Sequence, residues 1–299
     1  MSKKFFALLF VMLMFCGAAL ADGLTVTDMH GREITLDAPA TRIVALTPSD
    51  CEILCAIGCE DALVGRGKYC DYPASISELP VVQSGAETNI EEILALDPQV
   101  VLMSDMSQTE EQANMLEQNG VKVVISDAND IAGVYTAIRM IGTLMAKNDE
   151  AEALIADMQA TFDEIAAKSE KSDKTIYFEV TPLQWGLWTA GSDTFMDELA
   201  AMCGVTNAFA DLSGWQSISE EQVIERNPDY IVSIAGMGDT AIEEIMGRDG
   251  WGDISAVKNG RVYNADSNAI SRPGPRLKDA AIELYNFLND AEAEEAPAA

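Results

Sequence analysis

Five aromatic side chains fall in segments with the composition of loops: Tyr69 and Tyr72 in RGKYCDYP, Trp185 and Trp188 in TPLQWGLWTAG, and Trp215 in DLSGWQS. Each segment follows a strand-like run or precedes a helix-like one. In open α/β sheets that edge is where ligands bind. Indole and phenol rings there offer flat apolar faces with a polar rim, suited to stacking on a large, partly apolar ligand. Packing within the loops is the competing reading for each ring, and Trp251 and Tyr263 are assigned to packing outright.

Residues for covalent or metal chemistry are sparse. His30, the single histidine, falls in the hairpin pattern DMHGREITL and is read as a surface turn residue, not a ligand. One imidazole cannot build a His-rich metal site. Cys51, Cys55 and Cys59 recur at i, i+4 and i+8, one face of a predicted helix. With Cys70 and Cys203 they make an odd set once Cys16, in the expected signal peptide, is left out, so at least one thiol of the mature chain is free or paired between chains. The spacing leaves the pairing open, and the face reads as small apolar packing. G-x-G-x-x-G, the Walker glycines, H-E-x-x-H and G-x-S-x-G are all absent. No nucleophile–base pair emerges, so a receptor is favoured over an exported modifying enzyme or a structural surface protein.

Two carboxylates are singled out by a repeat. NIEEILALDPQVVLMS (Asn89–Ser104) and SEEQVIERNPDYIVSI (Ser219–Ile234) share one plan, with Glu91 matching Glu221, Glu92 matching Gln222 and Pro98 matching Pro228. Each has a small polar opener, an acid on the first helical turn and a closing apolar run. Acids suit that turn in any helix, because the dipole is positive there.

The elements that position these residues follow from periodicity. Thr25–Leu36 reads as a hairpin, and RIVAL, Ala62–Arg66, VVLMS and VKVVISD as strands alternating with helices. That alternation predicts a mainly parallel sheet covered on both faces. Ser49 with Glu52, and Ser107 with Glu110, match the capping-box spacing. Ile131 to Lys168 is helical with one break near Lys147-Asn148-Asp149, and TIYFEV, YIVSI and RVYNAD open a second α/β series that closes on a helix over Pro275–Phe287. The predicted fold is therefore α/β: two lobes with central mainly parallel sheets flanked by helices, joined by one long rigid inter-lobe helix. A helical connector argues against large domain closure, and a cleft between lobes is the default ligand site.

Residues 1–21 read as a signal peptide: Lys3 and Lys4, the apolar run Phe5–Phe15, then Ala19-Leu20-Ala21 as a cleavage site. Lipid attachment at Cys16 is the alternative. Residues 22–130 form the expected N-terminal lobe, 131–170 the helical region, 171–290 the C-terminal lobe and 291–299 a disordered acidic tail. A formal charge of -30 repels nucleic acid.

RIVALTPSDCEILCAIG, GRGKYCDYP, NIEEILALDPQVVL, LWTAGSDTFMDELAAMCGVTNAFAD, SGWQSISEEQVIERNPDYIV and AVKNGRVYNAD together resemble the exported substrate-binding proteins of ABC importers for cobalamin, iron-siderophores and haem. The resemblance runs from about Leu24 to Leu288 and is more specific for family than for ligand. It implies a monomer in the periplasm, without catalysis or intrinsic cofactor, whose lobes move modestly about one backbone helix. Its partners would be a permease dimer with ATPase subunits, and its cargo a small-molecule metal complex. In the cobalamin-binding member one glutamate on each lobe docks into arginine pockets of the permease, and by resemblance these are Glu91 and Glu221. A symmetric dimer presents one basic pocket twice, which would explain the repeat.

The resemblance also implies that Tyr69, Trp188 and Trp215 line the cleft, with Asp266 as a polar contact from the far lobe. Tyr72, Trp185 and Arg272 complete the candidate ligand set. SGAET (Ser84–Thr88) departs from the family pattern in lacking a tryptophan just before the first docking helix. The implied cargo is a cobalamin-like corrinoid. A ferric siderophore is the alternative, and anionic ones would want arginines such as Arg66, Arg272 or Arg276. Haem ranks third, with Tyr69, Tyr72 or a methionine such as Met106 as its axial ligand.

Overall fold

A parallel strand covered on both faces must be apolar throughout, and VVLM and YIVS, buried at every position, meet that requirement. The computed structural model of the chain describes residues 23–105 and 108–293. It opens with an antiparallel hairpin, β1 (Leu24–Thr27) and β2 (Glu33–Leu36). Then follow β3 (Ile43–Ala45), α1 (Pro48–Ala56), β4 (Leu63–Gly67), β5 (Val81–Val82), α2 (Ile90–Ala95), β6 (Val100–Met103), α3 (Glu110–Gln118) and β7 (Lys122–Ile125). The strands β3 to β7 pair in parallel in the order β5-β4-β3-β6-β7. The winding reverses at β3, so a crevice opens beyond the carboxyl ends of β3 and β6.

Two helices follow, α4 (Ile131–Leu144) and α5 (Asn148–Lys168). With 21 residues, α5 spans about 31 Å. It buries Ala151, Ile155, Met158, Phe162 and Ile165 on one face and exposes acids on the other. The second lobe contains β8 (Thr175–Glu179), β9 (Leu187–Ala190), α6 (Phe195–Met202), β10 (Thr206–Asn207), β11 (Trp215–Ile218), α7 (Glu220–Arg226) and β12 (Tyr230–Ser233), then α8 (Ala241–Met246), α9 (Ser255–Lys258), β13 (Val262–Asn264), α10 (Ser267–Ile270) and α11 (Leu277–Ala293). Its parallel sheet has the order β10-β8-β12-β13. One apolar cluster runs from Ile43 on β3 through Ile138 and Ile155 of the helical pair to Phe178 on β8 and Leu284 on α11. The fold is thus the expected one: two α/β lobes, each on a mainly parallel sheet, with the long helix packed into a core common to both.

Local details differ from the sequence reading. Ser49 and Glu52 do not form a capping box: α1 starts two residues earlier, with Pro48 at its first position and Thr47 as the N-cap. Proline's fixed φ favours that position. For α3 the box is Thr109 with Gln112, not Ser107 with Glu110; Ser107 lies outside the described residues, as do the proposed signal peptide and Cys16. Helix α1 stops at Ala56, so Cys59 lies beyond the helix that carries Cys51 and Cys55. All five described cysteines are free thiols, buried except for the half-buried Cys55. The last helix continues past Phe287 to Ala293, into the segment read as a disordered tail.

Candidate functional site

The crevice is built from strand ends. Thr47–Ser49 after β3, Ser104 and Asp105 after β6, and Ser126–Asn129 after β7 form one wall of a cavity of about 340 Å³. Asn268 and Ser271–Pro273, around the end of α10, form the opposite wall, and Tyr69 joins the lining. A close approach carries Tyr69 there: a Cβ on Gly67 would sit 2.4 Å from the Leu46 carbonyl oxygen, so only glycine allows that contact.

The aromatic set is only partly gathered. Tyr69 is 65% exposed in the cleft, with the Lys68 ammonium 5.4 Å from the centre of its ring. Trp185 (75% exposed) stands on a short 3-10 turn, Leu183–Trp185. Trp188 and Trp215 are not in loops: they lie on β9 and β11, an antiparallel ribbon that pairs Trp188 with Ser217 and Trp215 with Ala190. Trp188 is 42% exposed, whereas Trp215 is half-buried and edge-on to Phe195. The Phe195 N–H donates to the carbonyl of Asn129, a residue of the cleft wall. Trp251 is fully buried and Tyr263 stacks on Phe287, both as packing residues.

Tyr72, Arg272, Asp266 and Arg276 meet in a network that joins the lobes. Glu52, buried on α1, accepts two hydrogen bonds from Arg276 (2.7 and 2.9 Å) and one from Arg272 (3.2 Å). Arg272 also donates to Asp71 at 2.7 Å and to Asn268 Oδ1 at 2.7 Å. The Arg276 guanidinium lies 4.3 Å from the centre of the Tyr72 ring. Asp266 caps α10 by accepting from the Asn268 and Ala269 N–H groups, and its other oxygen is 3.7 Å from Arg276. Arg66 is equally committed, donating to the carbonyls of Ile76, Cys70 and Ser77. Glu52 was missed as a functional residue because its partners are more than 200 positions away in the chain.

Beneath the cleft floor Asp50 is fully buried, with Thr47 donating to its Oδ2 and no partner for Oδ1. Burial pushes its carboxyl from 3.8 up to about 7; the nearby hydroxyls of Thr47 and Ser126 oppose the shift and the charge of Asp127 adds to it. A raised carboxyl stabilises the fold below its unfolded value, and that contribution is lost as pH rises through about 7. Asp50→Asn should therefore gain on the native protein between about pH 4 and pH 7, by up to about 4 kcal/mol. Urea midpoints at pH 5 and pH 8 check this, and an equal difference at the two pH values would contradict it.

The wall built from the ends of β3, β6 and β7 is acidic. His30, at the turn of the β1–β2 hairpin, places Nε2 3.1 Å from Asp105 Oδ2 and 3.3 Å from Asp127 Oδ2. Their ligand atoms lie within 4.8 Å of one another, the one described His/Cys/Asp/Glu cluster able to hold a metal ion. Both aspartates line the cleft.

Glu91 and Glu221 occupy equivalent exposed positions on the first turns of α2 and α7. Their neighbours do the capping: Asn89 accepts from the Glu92 N–H, and Ser219 forms a capping box with Gln222. The Ser219 hydroxyl holds the Glu221 carboxyl below the usual range.

Two α/β lobes about a stiff helix, with an open cleft at the strand ends, define a solute-binding protein. The chain belongs to the Periplasmic binding protein family, whose pattern matches residues 43–269. It is 33% identical over 271 residues to an uncharacterized ABC transporter substrate-binding lipoprotein, YvrC, of Bacillus subtilis (strain 168), covering 88% of this chain and 85% of that protein. It is 29% identical over 256 residues to the vitamin B12-binding protein of Salmonella typhi, covering 84% of this chain and 91% of that one. A crystal structure of a possible iron-binding (periplasmic solute-binding) protein from Staphylococcus epidermidis ATCC 12228 superposes with a TM-score of 0.71 at 31% identity, over 83% of this chain and 98% of that chain. The protein is an extracytoplasmic, non-catalytic solute-binding protein of an ABC importer. That membership implies a permease and an ATPase as partners.

Proposed function

We propose that the protein captures a cobalamin-like corrinoid in the inter-lobe cleft and delivers it to the permease through Glu91 and Glu221. The observation that carries the choice of ligand is the state of the arginines. Arg66, Arg272 and Arg276 are all engaged by carbonyls or carboxylates, while Asp105 and Asp127 face the cavity. Such a wall disfavours an anionic ferric siderophore and suits a neutral or cationic complex. The cavity, about 340 Å³, is at the small end of the roughly 300–1,000 Å³ typical of ligand sites. A macrocycle would seat one edge in it and lay its faces against Tyr69 and the ribbon tryptophans. The similarity to the Salmonella typhi vitamin B12-binding protein supports this reading. The second reading, an iron complex, is favoured by the similarity to the possible iron-binding protein of Staphylococcus epidermidis.

Calorimetry with cobalamin, cobinamide and a ferric siderophore, alongside native mass spectrometry of protein purified from its host, decides between them. Tight binding of the siderophore with none of either corrinoid would reverse the order. Tyr69→Ala should weaken corrinoid binding by about 2 kcal/mol, roughly 30-fold, as expected for an aromatic anchor. An unchanged affinity would remove Tyr69 from the site.

On localisation, the lipoprotein name of the Bacillus subtilis relative supports attachment through Cys16 as the alternative to a free periplasmic form. Globomycin-sensitive processing or labelling with a radioactive fatty acid would establish the anchored form.

A further inference from the structure

We propose that His30, Asp105 and Asp127 form a binding site for a divalent transition-metal ion in the wall of the cleft, bordering the cavity that takes the transported ligand. The three residues come from separate elements: the hairpin turn between β1 and β2, the end of β6 and the end of β7. They converge in a chain that has one histidine to place. The Nε2–Oδ2 separations are 3.1 and 3.3 Å. Bonds of about 2.0–2.2 Å at tetrahedral or octahedral angles put adjacent ligand atoms about 2.9–3.5 Å apart. Both His–Asp separations fall in that range, and all three donors lie within 4.8 Å of one another.

Preorganisation supports the assignment. The Asp105 N–H donates to both Asp127 oxygens, at 3.1 and 3.2 Å, fixing the plane of that carboxylate. The His30 N–H donates to Asp28 Oδ1, which holds the turn, and Asp28 Oδ2 accepts from the Ile125 N–H, tying the hairpin to β7. A second, independent feature lies beside the cluster. Gln108 is 4% exposed, its Oε1 accepts from the Ser104 N–H, and its Nε2 has no hydrogen-bond partner. It lines, with His30 and Asp105, a cavity of about 650 Å³. A buried amide donor without a partner in that lining suits a water or anion completing the coordination of a metal held by three protein ligands. One imidazole with two carboxylates selects zinc, manganese, cobalt or nickel over calcium and magnesium, which prefer all-oxygen sites.

The test uses untagged mature protein, stripped with EDTA, because a histidine tag would mask a single-histidine site. Calorimetric titration with Zn²⁺ and Mn²⁺, in separate runs with and without millimolar Ca²⁺, should give one ion per chain that calcium does not displace. With imidazole-¹⁵N labelling, the single histidine should shift Nε2 on addition of Zn²⁺. His30→Gln, which keeps a polar side chain at the turn, should weaken the site by at least about 100-fold, the upper end of the loss caused by removing even an outer partner of a ligand. Asp127→Asn should do the same, and circular dichroism of both variants establishes that they fold. Diffuse binding of several ions that calcium displaces, or equal Zn²⁺ affinity in His30→Gln, would overturn the assignment. Cobalamin or siderophore affinity measured on the stripped protein is a separate readout, so failure here leaves the transport reading standing.

Discussion

Glu91→Ala combined with Glu221→Ala should leave the protein folded and its ligand affinity intact while uptake falls by at least about a hundredfold. Both carboxylates are exposed, and neither is the residue that caps its helix. Exposed substitutions of that kind usually change stability little. On docking the situation reverses, because each acid would be desolvated against a permease arginine that its loss leaves unpaired. Charge reversal to arginine should be worse than alanine, since like charges would then meet. A capping role predicts the opposite order, with the melting temperature falling and uptake lost only in proportion. The deciding pair of measurements is calorimetry on the double variant and uptake in cells carrying the cognate permease. Normal uptake would falsify the docking role and with it the functional account of the repeated unit.

Glu52→Gln should destabilise the protein by about 3–5 kcal/mol, the cost of leaving buried charge without its partner. Glu52 is 3% exposed, and the side chains of Arg272 and Arg276 are 10% and 12% exposed, so solvent cannot replace the carboxylate. Asp71 and Asp266 hold the two guanidiniums only from the exposed side. Urea denaturation of native and variant protein measures the loss. A change below 1 kcal/mol would mean that the network merely decorates the interface. Pairing Glu52→Leu with Arg276→Leu should recover much of the loss, because well-packed apolar residues commonly match a buried ion pair in stability.

Period and composition were sufficient for the lobes. VVLM and YIVS have no alternating polar face, so only a sheet covered on both sides could bury them. The face Ala151, Ile155, Met158, Phe162 and Ile165 marks a long helix lying on a core. The boundaries were less legible. Ser49-x-x-Glu52 satisfies the capping pattern locally, but Pro48 at the first helical position and a long-range pull on Glu52 decide otherwise. The ribbon of β9 and β11 was hidden because LWTA and WQSI are short, the first flanked by Gly186 and Gly191 and the second preceded by Gly214, so the tryptophans read as loop residues. His30 was assigned to its turn correctly, but its neighbours Asp105 and Asp127 come from other strands, and no local spacing announces them. The commitment of Arg272 to Glu52 and Asp71 is likewise a fact of tertiary packing.

The shared core and the buried knot around Glu52 bear on where the work of transport is done. Lobes clasped in this way spend their resting time in the arrangement that receives the ligand, so little affinity is lost to a rare open form. Capture needs no large rearrangement, and its rate is then set by encounter and by the charge of the cleft. Release is the harder direction. Any parting of the lobes would have to separate Glu52 from Arg272 and Arg276, which solvent barely reaches. An importer whose ATPase changes the spacing of two permease pockets could pull on both lobes at once through Glu91 and Glu221. On that view the two glutamates are handles, and nucleotide hydrolysis supplies the force that a free receptor lacks.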